Sequence, residues 1–438
     1  MEIKRDITGQ LVRWKDKPGR KPLILQGIRQ VGKTWLLKDF GRKYFSDVAY
    51  FNFDKQKELG QFFSTTKDPK RIIENLSLVH GKAILPHKTF IIFDEIQECN
   101  DALNSLKYFQ EEEPGYSIAS AGSLLGVALS RGASFPVGKV EFMDMHPLTF
   151  SEFLNEAAPE LASYLNQIDK AEPIPDIFFN PLCEKLKMYF ISGGMPEAVV
   201  TMLENMDLSA TQDALHNVIN SYLLDFSKHV DNKDVPKITY IWNSLPSQLA
   251  RENKKFLYQT VRPGARAREY EDALLWLVNA GLVLRINCSS KPHIPLASYD
   301  DLTAFKVYLP DVGVLRRLSL LNPVAITEGN RLFTEFRGAL TENFILSGLL
   351  TQYEGLPRYW RSGNRAEVDF LIQFKNDIIP VEVKSDENVR SKSLAFYRKE
   401  FNPEISIRFS LRNLKFDNGL LNIPLFMVDH TKRLLKFV

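Results

Sequence analysis

Between residues 22 and 150 the chain alternates short apolar runs with longer amphipathic stretches. The runs at 23–25, 49–53, 90–93 and 116–120 are too short for helices and are bounded by polar residues or glycine. That pattern predicts buried parallel strands joined by helices. From about 151 to 230 helical periodicity takes over, as at 151–165 and 181–191, and a Ser192-Gly193-Gly194-Met195-Pro196 break follows. The polar tract 231–236 contains Pro236 and reads as a linker. Helical stretches at 238–250 and 273–280 flank a basic connector, Gly281 stops the second, and 282–286 is strand-like. Helices followed by a hairpin predict a winged-helix-like segment. Beyond about 321 a long helix over 331–350 leads into three strand-like runs, a helix at Lys392–Phe401 and further strand-like runs at 405–410 and 425–430. The expectation is an α/β chain in four parts. A parallel-sheet core spans 1–150, a helical lid 151–230, the winged-helix-like segment 231–320 and a second α/β domain 321–438.

Composition changes this picture little. Of 438 residues 44% are hydrophobic and 25% charged, the usage of an ordinary globular protein. Fifty-six Lys and Arg against 53 Asp and Glu leave +3, so any basic surface for a nucleic acid must be local. Cys99, Cys183 and Cys288 lie too far apart for a disulfide framework or a Cys-rich zinc site, which fits a reducing compartment. No apolar run approaches the ~18 residues of a membrane span, and the first residues show no apolar signal region. A cytoplasmic, multidomain protein is expected.

The chemistry begins at Gly27-Ile28-Arg29-Gln30-Val31-Gly32-Lys33-Thr34, a complete G-x-x-x-x-G-K-T between an expected strand and an expected helix. The glycines let backbone N–H groups converge on phosphate oxygens, and the helix N-terminus adds the positive end of its dipole. Lys33 would reach the β and γ phosphates, and the Thr34 hydroxyl would hold magnesium. Downstream, the apolar run 90–93 ends in Asp94-Glu95. Asp94 would bind magnesium through water, and Glu95 would polarise the attacking water in phosphoryl transfer. The fourth run leads into Ala121-Gly122-Ser123. Ser123 would sit close to the γ-phosphate, or simply cap the helix expected at 124–130.

In the C-terminal part, Ala366-Glu367-Val368-Asp369-Phe370-Leu371-Ile372-Gln373-Phe374 alternates, Lys375-Asn376-Asp377 turns, and 378–384 returns with Glu382 and Lys384 on one face. Antiparallel pairing would bring Asp369 beside them. Two carboxylates on one side can hold a hard divalent cation, and a nearby lysine can orient or activate water. E-x-K alone is weak, since Glu2-Ile3-Lys4 and Glu252-Asn253-Lys254 match it too. A solvated sheet face carrying a salt bridge is the competing account. Pro380 inside the returning strand argues for an edge or a strand start. Lys392, Tyr397, Arg398 and Lys399 on the following helix would touch phosphates or form a solvated face. Arg251, Lys254, Lys255, Arg262, Arg266 and Arg268, interleaved with Phe256 and Tyr258, form a local basic patch. It suits sequence-independent phosphate contacts, or serves as a solvated connector.

The loop at 27–34, Ile92-Phe93-Asp94-Glu95-Ile96-Gln97, Ala121-Gly122-Ser123-Leu124-Leu125 and 145–154 resemble bacterial and archaeal AAA+ ATPases. Proteins of that group join an ATPase core to a helix-turn-helix segment and a restriction-endonuclease-like C-terminal domain. The resemblance implies that residues 27–34 are the Walker A loop, Asp94 and Glu95 the Walker B pair, and Ser123 the sensor-1 residue. An arginine finger stays unassigned, with Arg131 the candidate. Glu342 would complete an acidic cluster with Asp369 and Glu382, or lie exposed one heptad from Glu335. The implied protein binds and hydrolyses ATP with Mg2+, acts on DNA without reading bases, carries Mg2+ or Mn2+ at a metal-dependent nuclease site, and could form a homo-oligomer. The alternative is an ATP-switched DNA- or protein-binding module whose nuclease-like domain is an inactive scaffold.

Overall fold

The computed structural model describes residues 1–123, 126–127, 136–251, 254–328, 334–363, 365–385 and 391–438. The chain forms two compact units, one of residues 2–146 with 279–282 and the other of Met1, 147–278 and 283–438. Among the described residues no helix is long and apolar enough to cross a membrane.

The first unit is built on five parallel strands: β1 (Leu23–Gln26), β2 (Asp47–Asn52), β3 (Thr89–Asp94), β4 (Ser117–Ala121) and β5 (Glu141–Asp144). They lie in the order β2-β3-β4-β1-β5. Every residue of β3 and β4 is buried, as expected of strands covered on both faces. The aromatic rings of Phe53, Phe63 and Phe93 meet edge-on with centroids 5.6 to 5.7 Å apart, in a core shared with Ile72, Leu76 and Leu106. Leu25 and Asp94 both pair with Ala121, so β1, β3 and β4 end side by side. The carboxyl ends of parallel strands are where open α/β sheets bind ligands. The edge strand β5 is not apparent in the sequence because its exposure alternates and its charged ends resemble a loop.

Helices dominate the start of the second unit: Phe150–Ala157, Pro159–Gln167, Asp176–Ser192, Pro196–Asn205 and Leu208–His229. The stretch expected as one helix over 151–165 is two, because Pro159 opens a new helix at its first position. Conversely, Pro181 lies inside the helix Asp176–Ser192 instead of starting it. It forgoes only the bond to the carbonyl of Ile177, a residue 75% exposed, where water can replace it.

The eight-stranded sheet of this unit runs β12-β13-β11-β10-β9-β8-β6-β7. Its members are β6 (Leu284–Ser289), β7 (Asp300–Tyr308), β8 (Arg358–Ser362), β9 (Ala366–Phe374), β10 (Asp377–Val383), β11 (Ser406–Ser410), β12 (Lys415–Asp417) and β13 (Leu420–Pro424). The hairpin expected as a wing is therefore β6 and β7 of this sheet, with β6 bonded to β8. Of the edge or strand start expected from Pro380, the edge is not found, since β10 is a central strand. The proline fits because parallel pairing with β11 begins only at Val381, so it precedes that ladder. The run at 425–430 is a 3-10 segment, Leu425–His430. Its apolar residues are buried all round, a pattern that cannot distinguish strand from buried helix. Helix Thr334–Leu350 is buried on every side from Ala339 to Leu346, which accounts for its unusual buried polar residues.

Candidate functional sites

The loop between β1 and helix Lys33–Tyr44 is shaped by backbone that side chains would obstruct. Gly27 has φ +150°, and a Cβ there would stand 2.3 Å from the Met145 carbonyl oxygen. Gly32, at φ +99°, caps the helix. Lys33 is buried and its Nζ donates to the carbonyls of Gly27 and Ile28 at 2.7 and 2.9 Å, folding back along the loop. Thr34 Oγ1 donates to Asp94, 3.1 Å from Oδ1 and 3.0 Å from Oδ2. A hydroxyl and a carboxylate in contact beside a phosphate-sized loop are the hard oxygen donors that Mg2+ takes, so these residues fit the cation. Ile28, Arg29, Gln30 and Val31 complete the loop, and Gln30 adopts φ +63°.

Glu95 follows β3 in a left-handed conformation, φ 50° and ψ 46°. That geometry is uncommon for a residue with a side chain and concentrates at functional sites. Its Oε2 accepts from Gln97 Nε2 at 2.6 Å and from Ser123 Oγ at 3.4 Å. The structure thus brings Ser123 to Glu95 from the tip of β4. Apart from residues 126–127, the helix that Ser123 would have capped lies outside the described residues, as does Arg131.

Two neighbours of Asp94 are not evident from the sequence motifs. Tyr50 Oη donates to Asp94 Oδ2 at 2.7 Å, and Asn52 Nδ2 donates to the same oxygen at 3.3 Å. Burial, then the bond to Asp94, pushes the Tyr50 phenol up to about 12, and Lys38 Nζ lies 3.5 Å over its ring. The signal that could have found them is the alternation of β2, which turns Tyr50 and Asn52 to one face and Ala49 and Phe51 to the core.

In the second unit, β9 and β10 pair antiparallel through Val381 and Phe370, and the same register sets Asp369 opposite Glu382. The Val383 N–H donates to Asp369 Oδ2 at 2.8 Å. Glu382 is 4% exposed, and its Oε1 meets Lys384 Nζ at 2.6 Å and the Ser391 hydroxyl at 2.8 Å. Its Oε2 is buried without a hydrogen-bond partner among the described residues. The strand is therefore covered on both faces, and the solvated sheet face is excluded for Glu382. Glu342 is 7% exposed, not a solvated helix position. It pairs with Lys254 through Oε1 and accepts from Tyr308 Oη at 3.1 Å through Oε2. The Asn343 side-chain amide holds both backbone groups of Leu309 at 2.9 and 3.0 Å, which aligns Glu342 with Tyr308. Lys306, also buried, meets Glu367 Oε1 at 2.5 Å.

Electrostatics follow from this crowding. Burial, then the charges of Glu342 and Glu382, hold the Asp369 carboxyl well above its ordinary range. Burial would also raise Glu342, but Lys254 and Lys306 outweigh it and keep that carboxyl below its ordinary range. Burial alone would lower Lys306, yet Glu367, Glu342 and Asp369 hold it raised. The expected residues Asp369, Glu382, Lys384 and Glu342 are thus brought together, with Lys254, Lys306, Glu367 and Tyr308 unforeseen among them. Among the described residues no group of three or more His, Cys, Asp or Glu is arranged as a metal site, because each glutamate is drawn to a lysine. Of the helix Lys392–Phe401, Tyr397 is buried and packed edge-on against Trp360, so it does not face phosphates. Arg398 donates to the Asn418 carbonyl. Within the basic connector, Lys254 is spent on Glu342 and Phe256 stacks on Phe305 at 5.3 Å, whereas Arg262, Arg266 and Arg268 remain exposed.

An AAA domain family model matches residues 19–154. Two domains of unknown function, DUF8612 and DUF4143, match 183–325 and 337–427. No curated protein matches the chain. Among solved structures, the chain is similar to the Walker-type ATPase of Pyrococcus abyssi at 15% identity, covering 72% of this chain and 96% of that one with TM-score 0.46. It is similar to the Aeropyrum pernix Orc1 protein, solved in complex with DNA, at 13% identity, 73% and 91% coverage and TM-score 0.29. AMPPCP-bound DnaA from Aquifex aeolicus matches at 14% identity, 62% and 86% coverage and TM-score 0.23. The match of the AAA domain spans the loop, Asp94, Glu95 and Ser123 on their parallel sheet, and the chain is an ATPase whose residues 19–154 form a P-loop domain similar to the AAA domain.

Proposed function

We propose that this ATPase holds Mg2+-ATP with residues 27–34 and Asp94, hydrolyses it with Glu95 and Ser123, and uses the cycle to act on DNA, with the C-terminal cluster as a nuclease centre. The observation that carries the ATPase part is the contact of Thr34 with Asp94, 3.0 Å from a carboxylate that Tyr50 and Asn52 hold in place. Lys33 would exchange its loop carbonyls for the β and γ phosphates, and Glu95 would take a proton from water. The exposed Arg262, Arg266 and Arg268 support non-specific contacts to a phosphate backbone. At the C-terminal cluster a bound Mg2+ or Mn2+ would supply Lewis-acid polarisation of a phosphodiester and a nucleophilic water. There Asp369 and Glu382 would be the holding residues and Lys384 would orient the water.

A second reading has its own support. Glu342 with Lys254, Glu367 with Lys306 and Glu382 with Lys384 form ion pairs that together resemble a buried structural network, the arrangement of an inactive scaffold. The experiment that separates the two incubates purified protein with linear, branched and single-stranded DNA and Mg2+ or Mn2+, with and without ATP. Metal-dependent cleavage of any of these is the result expected of the nuclease. Intact DNA in every reaction, alongside robust ATP turnover, would establish the scaffold.

A further inference from the structure

The two oxygens of Asp94 are not held alike. Oδ2 accepts from Tyr50 Oη at 2.7 Å, from Thr34 Oγ1 at 3.0 Å and from Asn52 Nδ2 at 3.3 Å. Among the described residues Oδ1 accepts from Thr34 alone, at 3.1 Å. An ionised carboxylate offers about four lone-pair sites over its two oxygens, so the protein fills Oδ2 and leaves Oδ1 with room. The shortest of these bonds comes from Tyr50, and its proton is committed to Asp94. The phenol oxygen itself accepts from Asn52 Nδ2 at 3.2 Å. Asn52 is fixed in that orientation because its Oδ1 accepts the Lys55 N–H at 2.9 Å. Strand register explains the reach. β2 and β3 run parallel with Tyr50 opposite Ile92 and Asn52 opposite Asp94, so Tyr50 approaches Asp94 diagonally across one face of the sheet.

The Tyr50 ring has a second contact. Lys38 follows Thr34 by one turn in the helix Lys33–Tyr44, and residues four apart share a helix face. Thr34 touches Asp94 directly, whereas Lys38 Nζ stands 3.5 Å from the centroid of the Tyr50 ring. A cation is attracted to the negative face of an aromatic ring. There it draws electron density from the hydroxyl and makes the O–H a stronger donor.

We propose that Tyr50, backed by Lys38, is a positioning residue of the nucleotide site: it anchors Asp94 through Oδ2, keeps Oδ1 for the hydration shell of Mg2+, and so sets how much the cation adds to ATP binding. Groups that hydrogen-bond a metal's ligands from behind orient them and tune affinity. Without the phenol hydroxyl the strongest anchor of Asp94 is gone, and the carboxylate turns between its two oxygens.

This inference rests on the reading of Thr34 and Asp94 as the residues that hold the cation, and the test keeps the two apart. The dissociation constant of the ATP analogue AMPPCP is measured by calorimetry on the full chain, in saturating Mg2+ and again in EDTA, for wild type, Tyr50→Phe, Lys38→Met and Asp94→Ala. The ratio of the EDTA value to the Mg2+ value is the gain due to the cation. Tyr50→Phe removes one oxygen and keeps the ring, so its EDTA value should match wild type while the gain falls about ten-fold, the scale of a hydrogen bond to a charged group. Lys38→Met keeps an unbranched stem against the ring without the charge. Its gain should fall in the same direction by about two- to five-fold, a second reading should Tyr50→Phe fail to fold. A wild-type gain in Tyr50→Phe, with the gain lost in Asp94→Ala, would overturn the role of Tyr50 and leave the cation site standing. Equal weakening in Mg2+ and in EDTA would make the tyrosine a structural part and overturn the proposal too. An unchanged gain in Lys38→Met would overturn the part given to the lysine. If wild type shows no gain, or Asp94→Ala keeps it, the cation reading falls and takes the inference with it.

Discussion

Replacing Glu95 by Gln is expected to leave ATP binding at the wild-type level while turnover falls about 100- to 10,000-fold. The expectation follows from placement. Glu95 leaves β3 one residue after Asp94, in a left-handed turn at φ 50° that swings its side chain away from the buried strand. Gln97 and Ser123 bond to its Oε2, at 2.6 and 3.4 Å, and so orient the carboxylate. An amide at this position keeps the size and one acceptor oxygen but can no longer receive a proton from water. Binding should survive because the loop amides, Lys33 and the Thr34–Asp94 pair do not depend on the Glu95 charge. Measuring the dissociation constant of ATP beside steady-state phosphate release separates the two effects. Equal losses in both would assign Glu95 to binding instead.

The second large effect is expected at Asp369. Asp369→Asn keeps an oxygen to accept the Val383 N–H, now bonded at 2.8 Å, and removes a carboxyl crowded by Glu342 and Glu382. The fold should therefore persist, and relief of that repulsion favours the folded state. What should disappear is any stabilisation by Mn2+, which a ligand preferring the native state supplies by mass action. Metal-dependent DNA cleavage should fall by roughly 100-fold or more, since a metal centre contributes several kcal/mol to the transition state. ATP turnover should not change. Melting curves with and without Mn2+, and cleavage rates on one DNA substrate, check both statements. A variant that keeps the Mn2+ shift and cuts at the wild-type rate would place the metal chemistry elsewhere.

The nucleotide site was legible because its chemistry is local in sequence. Residues 27–34 form one loop, Asp94 and Glu95 follow one strand, and short apolar runs announce buried strands plainly. Tyr50 and Asn52 were legible in principle from the alternation of β2, but only the structure puts them beside Asp94. The C-terminal carboxylates could be anticipated from the β9–β10 hairpin, whose register is set by a tight turn. Their partners could not. Lys254 reaches Glu342 from 88 positions away, and Lys306 lies on a strand whose sheet is completed by segments far along the chain. No periodicity encodes such pairings. The same non-local pairing joins the hairpin expected as a wing to the eight-stranded sheet, which no local pattern announces. Of the two placements expected for Pro380, the edge failed for a related reason: a proline argues against a central strand only where a neighbouring ladder needs its N–H, and the ladder to β11 begins one residue later.

The claim on which everything else depends is that residues 27–34 hold the nucleotide, and calorimetric titration of ATP and Mg2+ into Lys33→Ala tests it most directly. Lys33 is 8% exposed and its Nζ bonds backbone carbonyls of its own loop, those of Gly27 and Ile28, at 2.7 and 2.9 Å. Its removal should therefore leave the sheet intact while deleting a charge-assisted contact to phosphate. ATP affinity should fall about 100-fold, the scale of losing such a bond, with an unchanged melting temperature in the absence of nucleotide. Wild-type affinity in a folded Lys33→Ala protein would contradict the assignment of the loop.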